Sequence, residues 1–95
     1  MNFNFRDCEP FIPQAILTPP KPANKPTINS MFKHIRQWVY FWSVFGYTGW
    51  IFILQVGVEE NPKNKNLEPA IWGCHPGIGN KFLIFLNTID NYAAL

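Results

Sequence analysis

The chain has few charged residues, only two cysteines and no recognisable catalytic motif. Charged residues make up 15% of its 95 residues, whereas soluble domains average about 25%. A net charge of +2 is too small to indicate a nucleic-acid-binding surface. The CxxC, CxxCH and HExxH motifs are missing, and no nucleophile stands in a recognisable catalytic pattern. We therefore expect no enzymatic activity, no cofactor and no metal site.

One long segment lacks charge altogether. Residues 37–58 contain no Asp, Glu, Lys or Arg, and eight of the fifteen residues 38–52 are aromatic. As a helix, the segment would be about 33 Å long, which is enough to cross the hydrocarbon core of a membrane. Trp38, Tyr40 and Trp42 match the aromatic belt found at a membrane interface. The segment therefore predicts an all-α membrane protein with a single transmembrane helix over 37–58.

A small soluble domain is the alternative interpretation of this segment. A helix or strand pair buried in such a domain needs apolar cover on every side, and the rest of the chain offers little of it. The membrane interpretation is therefore favoured. Lys25, Lys33 and Arg36 precede the segment, which favours an N-terminus on the matrix or cytoplasmic side.

Composition divides the chain into four predicted segments. Residues 1–29 hold six of the nine prolines, and proline restricts both itself and the preceding residue, which predicts an extended arm. Residues 30–58 are predicted to form one helix that includes the span, with Asn29 or Ser30 as its cap. Residues 59–79 are predicted to be a polar, turn-rich loop. Residues 80–95 are predicted to form a short amphipathic helix that lies at the membrane surface or docks on a partner, with Asn80 as a possible cap.

Two patterns in and beside the span indicate possible sites. Ser43, Gly46 and Gly49 recur at intervals of three, and small residues at such spacing predict a helix-packing groove. His34 stands directly before the span and is a candidate ligand for a pigment or a haem. The alternative is that its imidazole forms a hydrogen bond with a neighbouring residue.

The adjacent pair Cys74 and His75 is a weaker candidate. A structural zinc site needs about four ligands, and the proposed span separates this pair from Cys8 and His34. The alternative is a turn in which the imidazole bonds a backbone group. The same separation argues against pairing of the two cysteines, so a disulfide at Cys74 would require a partner chain and an oxidising compartment.

The predicted architecture resembles the general plan of supernumerary respiratory subunits, and the resemblance covers architecture only. It implies a structural accessory subunit of an energy-transducing membrane complex, in the mitochondrial respiratory chain or ATP synthase. Such a subunit would lie in the mitochondrial inner membrane, bind other subunits and lipids within a hetero-oligomer, and bind no nucleic acid. One alternative is a pigment- or haem-contacting small subunit of a photosynthetic complex. A transient transport or assembly factor is a third.

Overall fold

The computed structural model of the chain describes residues 23–75 and 81–94. Five strands, one short helix and one 3-10 helix make up this part of the chain. In chain order they are helix α1 Ile28–Phe32, strand β1 Trp38–Trp42, strand β2 Gly49–Glu60, strand β3 Leu67–Cys74, strand β4 Lys81–Phe85, the 3-10 helix Leu86–Thr88 and strand β5 Asn91–Ala94.

The strands form one antiparallel sheet in the order β4-β3-β2-β1-β5. Strands β1 to β4 follow one another as a meander, in which each strand pairs with the next. Strand β5 returns to the other side of β1, where Tyr92 pairs with Phe41. A register shift between Ile53 and Gln55 marks an irregularity in β2. Strands β4 and β5 therefore form the two edges.

The predicted all-α fold with a single transmembrane helix is wrong. Residues 37–58 form β1, a loop and most of β2, and among the described residues no helix is both long enough and apolar enough to cross a membrane. The local preference is clear, because fifteen of the 21 residues 38–58 are aromatic or β-branched, and such residues favour strands. The predictions of a membrane protein and of its location in the mitochondrial inner membrane both depended on this helix, so neither prediction is kept.

The predicted segment boundaries also change. Strand β3 lies inside the predicted loop 59–79, and β4, the 3-10 helix and β5 replace the predicted amphipathic helix 80–95. Asn80 and residues 1–22 of the predicted arm lie outside the described residues. Helix α1 is only five residues long. Thr27 caps it, because its side-chain oxygen accepts a hydrogen bond from the Ser30 N–H at 3.0 Å.

The sheet has two apolar faces. Because successive side chains of a strand point to opposite sides, neighbouring residues of β1 and β2 belong to different faces. One face, here called the aliphatic face, packs against Met31 of α1 and Leu86 of the 3-10 helix. Its other buried members are Val39, Phe41, Ile51, Ile53, Val56, Ile71, Ile84 and Ile89.

The opposite face, here called the aromatic face, centres on a second buried cluster. Its members are Trp38, Trp50, Phe52 and Cys74. Tyr40 and Leu54 pack against this cluster. The sheet thus uses large rings on one side and mostly aliphatic side chains on the other.

Candidate functional site

The loop between β1 and β2 presents the two most exposed large apolar side chains of the described residues. Phe45 is 93% exposed and Val44 is 77% exposed. Single exposed hydrophobic residues are common on protein surfaces, but two adjacent ones on one loop make this loop a candidate interaction site. These two residues are called the Val44–Phe45 tip below.

Side-chain hydroxyls fix the backbone at the base of this loop. The Ser43 N–H donates to Thr48 Oγ1 at 3.0 Å, and that hydroxyl donates to the Ser43 carbonyl at 3.0 Å. Ser43 Oγ accepts a hydrogen bond from the Gly46 N–H at 2.6 Å and donates to the Thr88 carbonyl. Bonds of this local kind hold a turn in one conformation.

A second segment supports the loop from the side. Asp90 follows the 3-10 helix, and its Oδ2 accepts a hydrogen bond from the Val44 N–H at 2.9 Å. The backbone N–H of Asp90 donates to the Trp42 carbonyl at 2.8 Å. The N–H of the tip itself is therefore bonded to a carboxylate anchored on β1, and the exposed side chains stand on an ordered backbone.

The small residues predicted to form a helix-packing groove lie in and beside this loop. A Cβ atom on Gly46 would lie 3.0 Å from both Ser43 Oγ and Thr88 Oγ1. Gly49 has a φ of 144°, and a Cβ atom there would lie 2.8 Å from the Tyr47 hydroxyl. Ser43, Gly46 and Gly49 therefore allow a tight connection between strands rather than the approach of a second helix.

The residues predicted at a membrane interface lie on β1 and point to the aromatic face. Trp38 is 5% exposed. The Tyr40 ring lies 4.8 Å from the Trp42 ring and 5.3 Å from the Trp50 ring, measured between centroids. Such tilted and edge-on arrangements are favourable between aromatic rings. The structure thus brings Trp38, Tyr40 and Trp42 together within the sheet.

His34, the candidate pigment or haem ligand, lies in the turn after α1. Its Nδ1 is 2.9 Å from Gln37 Oε1, and its ring centroid is 6.0 Å from that of Tyr92. This is the hydrogen-bonded arrangement that the sequence offered as the alternative. Ligation by His34 stays a prediction.

Cys74 and His75 have different environments. Cys74 is fully buried and disulfide-bonded. The His75 ring stacks on the Phe82 ring at 3.8 Å, and its burial there lowers the pKa of His75 below its ordinary value. The Tyr47 ring lies 4.8 Å from that of His75, and burial, with a smaller effect of Tyr40, raises the pKa of Tyr47.

The chemistry available in the described part of the chain is limited. Residues 23–75 and 81–94 contain no group of three or more His, Cys, Asp or Glu side chains that could hold a metal ion. No polar or charged side chain among the same residues is buried. A cavity of about 580 Å³ opens beside α1, and its lining includes Lys25, Pro69 and Leu86. The Val44–Phe45 tip is therefore the most distinctive surface feature.

Comparison with protein-family models, with curated proteins and with solved structures found no match for this chain. The function must therefore be argued from the geometry of the tip. Sequence reasoning did not single out Val44, Phe45, Thr48 or Asp90. Ser43 and Thr48 together with two nearby glycines are a turn signal that interrupts the apolar segment, and this signal could have located the loop.

Proposed function

We propose that the chain is a protein-binding domain that inserts the Val44–Phe45 tip into an apolar pocket of a partner protein. The 93% exposure of Phe45 on a hydrogen-bonded loop is the observation that supports this function. Asp90 lies beside the tip and is exposed, so a pocket whose rim carries Lys or Arg is complementary to this surface.

The energetics of binding favour such a loop. Aromatic side chains that enter a pocket dominate the affinity of many interfaces, and removal of one anchor commonly costs about 2 kcal/mol or more. Ordering a flexible loop on binding would consume part of that gain. Here Ser43, Thr48 and Asp90 already hold the loop in the unbound chain, so little further ordering is required.

This proposal keeps the partner proteins that the sequence led us to expect, but it does not keep the membrane complex. Assembly with partner proteins was expected from the predicted arm and helix, and it is proposed again here on a different surface. The membrane complex was expected because of the span, which does not form. A pigment- or haem-contacting role stays an untested alternative, and no geometry around His34 adds support to it.

The first experiment identifies what the tip touches. The photoreactive amino acid p-benzoyl-phenylalanine replaces Phe45 in the full chain, which is expressed in the cells that naturally make it. A matched chain carries the same group at Leu67, which is 72% exposed at the start of β3. We expect one protein to be cross-linked through position 45 and not through position 67. Equal cross-linking from both positions would contradict a specific tip.

The second experiment measures the contribution of the tip to affinity for the protein identified in this way. Isothermal titration calorimetry compares the unmodified chain with Phe45→Ser and Leu67→Ser. We expect Phe45→Ser to raise the Kd by about 30-fold, as for an interface anchor, and Leu67→Ser to leave it within about threefold, as for a residue outside the interface. The Tm of each variant confirms that it is folded. Similar Kd values for the two variants would refute the proposed function.

A further inference from the structure

The cavity beside α1 has no part in the proposed binding function. It opens where the start of α1 meets β3 and the 3-10 helix, and its volume is about 580 Å³. Cavities that hold small molecules commonly measure about 300–1,000 Å³. Val44 and Phe45 are not among its lining residues, so the cavity is a separate candidate site.

Apolar groups supply most of the accessible lining of this cavity. Leu86 is buried in the aliphatic cluster, and Ile28 packs against the same cluster. Pro26 is buried and Pro69 is half-buried. Since the core already holds Leu86 and Ile28 in place, the apolar lining exists before any ligand arrives. An apolar group that enters the cavity is removed from water, which favours binding.

The polar groups at the cavity favour an anion. Among the described residues that line it, Lys25 carries the only charge, and none is Asp or Glu. Asn29 and Asn87 also line the cavity and are exposed, and each side-chain amide offers two N–H donors. A carboxylate accepts hydrogen bonds from both kinds of group, and a charge-assisted bond is roughly twice as strong as a neutral one.

The acidic residue next to the lining in sequence is engaged elsewhere. Glu68 precedes Pro69, but its two carboxylate oxygens accept hydrogen bonds from the side-chain amides of Asn61 and Asn64, each at 2.9 Å. Neighbouring side chains of a strand also point to opposite faces of the sheet. Glu68 therefore does not neutralise the positive charge that Lys25 brings to the cavity.

Hydrogen bonds hold the backbone on both sides of Lys25. The carbonyl of Asn24 accepts a hydrogen bond from the Tyr92 N–H of β5 at 2.9 Å. Two residues after Lys25, the Thr27 N–H donates to Ser30 Oγ at 2.8 Å, and the Ser30 N–H donates to Thr27 Oγ1 at 3.0 Å. The Ser30 N–H at the start of α1 is thus already bonded, so the side chains, rather than the end of this short helix, must provide the donors.

We propose that this cavity binds a small organic acid with one carboxylate and an apolar body. The carboxylate pairs with the Lys25 ammonium and accepts hydrogen bonds from the side-chain amides of Asn29 and Asn87. The apolar body packs on Ile28 and Leu86. This arrangement uses both the single positive charge and the apolar lining, as binding sites for small molecules generally combine an apolar surface with a few polar groups that orient the ligand.

Other classes of ligand use only part of this site. A free phosphate pairs with Lys25 but leaves the apolar lining without a contact, and a neutral apolar compound leaves the Lys25 ammonium without a partner. The site also shares no residue with the Val44–Phe45 tip. The proposed acid site and the proposed protein-binding function are therefore independent, and either proposal can fail without the other.

The first test locates the binding of a model acid on the unmodified full chain, so it does not depend on whether any variant folds. Hydrocinnamate, which has one carboxylate and a phenyl ring, is titrated into the isotope-labelled chain and followed by NMR. We expect saturable shifts of the side-chain amide signals of Asn29 and Asn87, with a Kd of about 1 mM for so small a ligand. Signals that do not saturate, or shifts confined to the Val44–Phe45 tip, would overturn the proposal.

Two related compounds test the two halves of the ligand. Hydrocinnamyl alcohol keeps the apolar body without the charge, and propionate keeps the charge with a much smaller body. We expect each to bind about fivefold more weakly than hydrocinnamate, or weaker still, because each loses one class of contact. Propionate binding as tightly as hydrocinnamate would show that the apolar lining has no part in the site, which contradicts the proposal.

The last test removes the charge of Lys25. The variant Lys25→Gln is compared with Lys63→Gln, which removes the same charge from the exposed turn between β2 and β3. We expect Lys25→Gln to raise the Kd of hydrocinnamate about fivefold, as for an exposed ion pair, and to leave the Kd of hydrocinnamyl alcohol unchanged. Lys63→Gln should change neither value. Equal effects of the two variants on hydrocinnamate would refute the pairing of the carboxylate with Lys25.

Discussion

Gly73 provides a direct test of the sheet, because two atoms of β2 approach it closely. A Cβ atom added at this position of β3 would lie 2.5 Å from Ile51 Cγ2 and 2.9 Å from the Phe52 carbonyl oxygen. The first contact belongs to a side chain that is completely buried, and the second belongs to the backbone of the neighbouring strand. Neither can move without disturbing the pairing of β2 with β3, so we expect Gly73→Ala to destabilise the fold.

Gly57 is the matched control, since it lies on β2 and an added Cβ atom would meet nothing within 4 Å. Forcing extra volume into a packed site costs about 1–3 kcal/mol. At Gly57, Ala should instead gain about 0.5 kcal/mol, because it loses less conformational freedom on folding. The two variants should therefore differ by about 2 kcal/mol, which corresponds to roughly 10 °C in Tm for a domain of this size.

Differential scanning calorimetry without reductant measures both variants under conditions that keep the disulfide intact. Urea denaturation provides an independent free energy of unfolding for each. If Gly73→Ala is as stable as Gly57→Ala, β3 does not lie against β2 in the register described. That result would favour the loop that the sequence alone predicts for residues 59–79.

Two further predictions concern titration. Burial lowers the pKa of His75, so the unfolded chain binds the proton more readily than the folded chain. The free energy of unfolding should therefore fall as the pH drops below about 6.5. The variant His75→Phe should reduce this pH dependence, and an unchanged plot of unfolding free energy against pH would contradict the role of His75. Hydrogen bonds from Asn61 and Asn64 lower the pKa of Glu68, so Asn61→Ala should raise it in a carboxyl NMR titration, while Asn66→Ala should not, because Asn66 takes part in this turn through its backbone.

Sequence reasoning failed on the fold because both faces of the sheet are apolar. A strand with one wet face alternates between polar and apolar residues, but a strand covered on both faces reads as a continuous apolar run. Strand β1, Trp38–Trp42, is such a run. The irregularity between Ile53 and Gln55 further disturbs the two-residue period in β2. The length of residues 37–58 and their lack of charge then favoured a transmembrane helix, although their aromatic and β-branched composition favoured strands.

The loop was partly predictable and its supports were not. Ser43, Gly46 and Gly49 were recognised as a pattern of small residues, but they were placed on a helix. Their turn chemistry could have been identified from the sequence. The contacts of Ser43 with Thr88 and of Val44 with Asp90 span 45 and 46 residues. Such contacts depend on the return of β5 to the side of β1, which no local pattern indicates.

Burial in the sheet explains the low charge of much of the segment 37–58, but it does not explain the loop between β1 and β2. Val39, Phe41, Ile51 and Ile53 are apolar because they form the aliphatic core, and the members of the aromatic face are apolar because that face is buried. Neither core contains Val44 or Phe45, which face water in the same uncharged run.

A polar pair would fit the loop equally well, because the bonds that hold it come from Ser43, Thr48, the Gly46 N–H and Asp90. Burial thus accounts for the apolar character of much of the run, and Val44 and Phe45 are its most exposed apolar side chains, ahead of Val58. Exposed apolar area that folding does not require is the best indication of a binding surface within residues 23–75 and 81–94. This is why the proposed binding surface is the tip rather than the larger aromatic cluster.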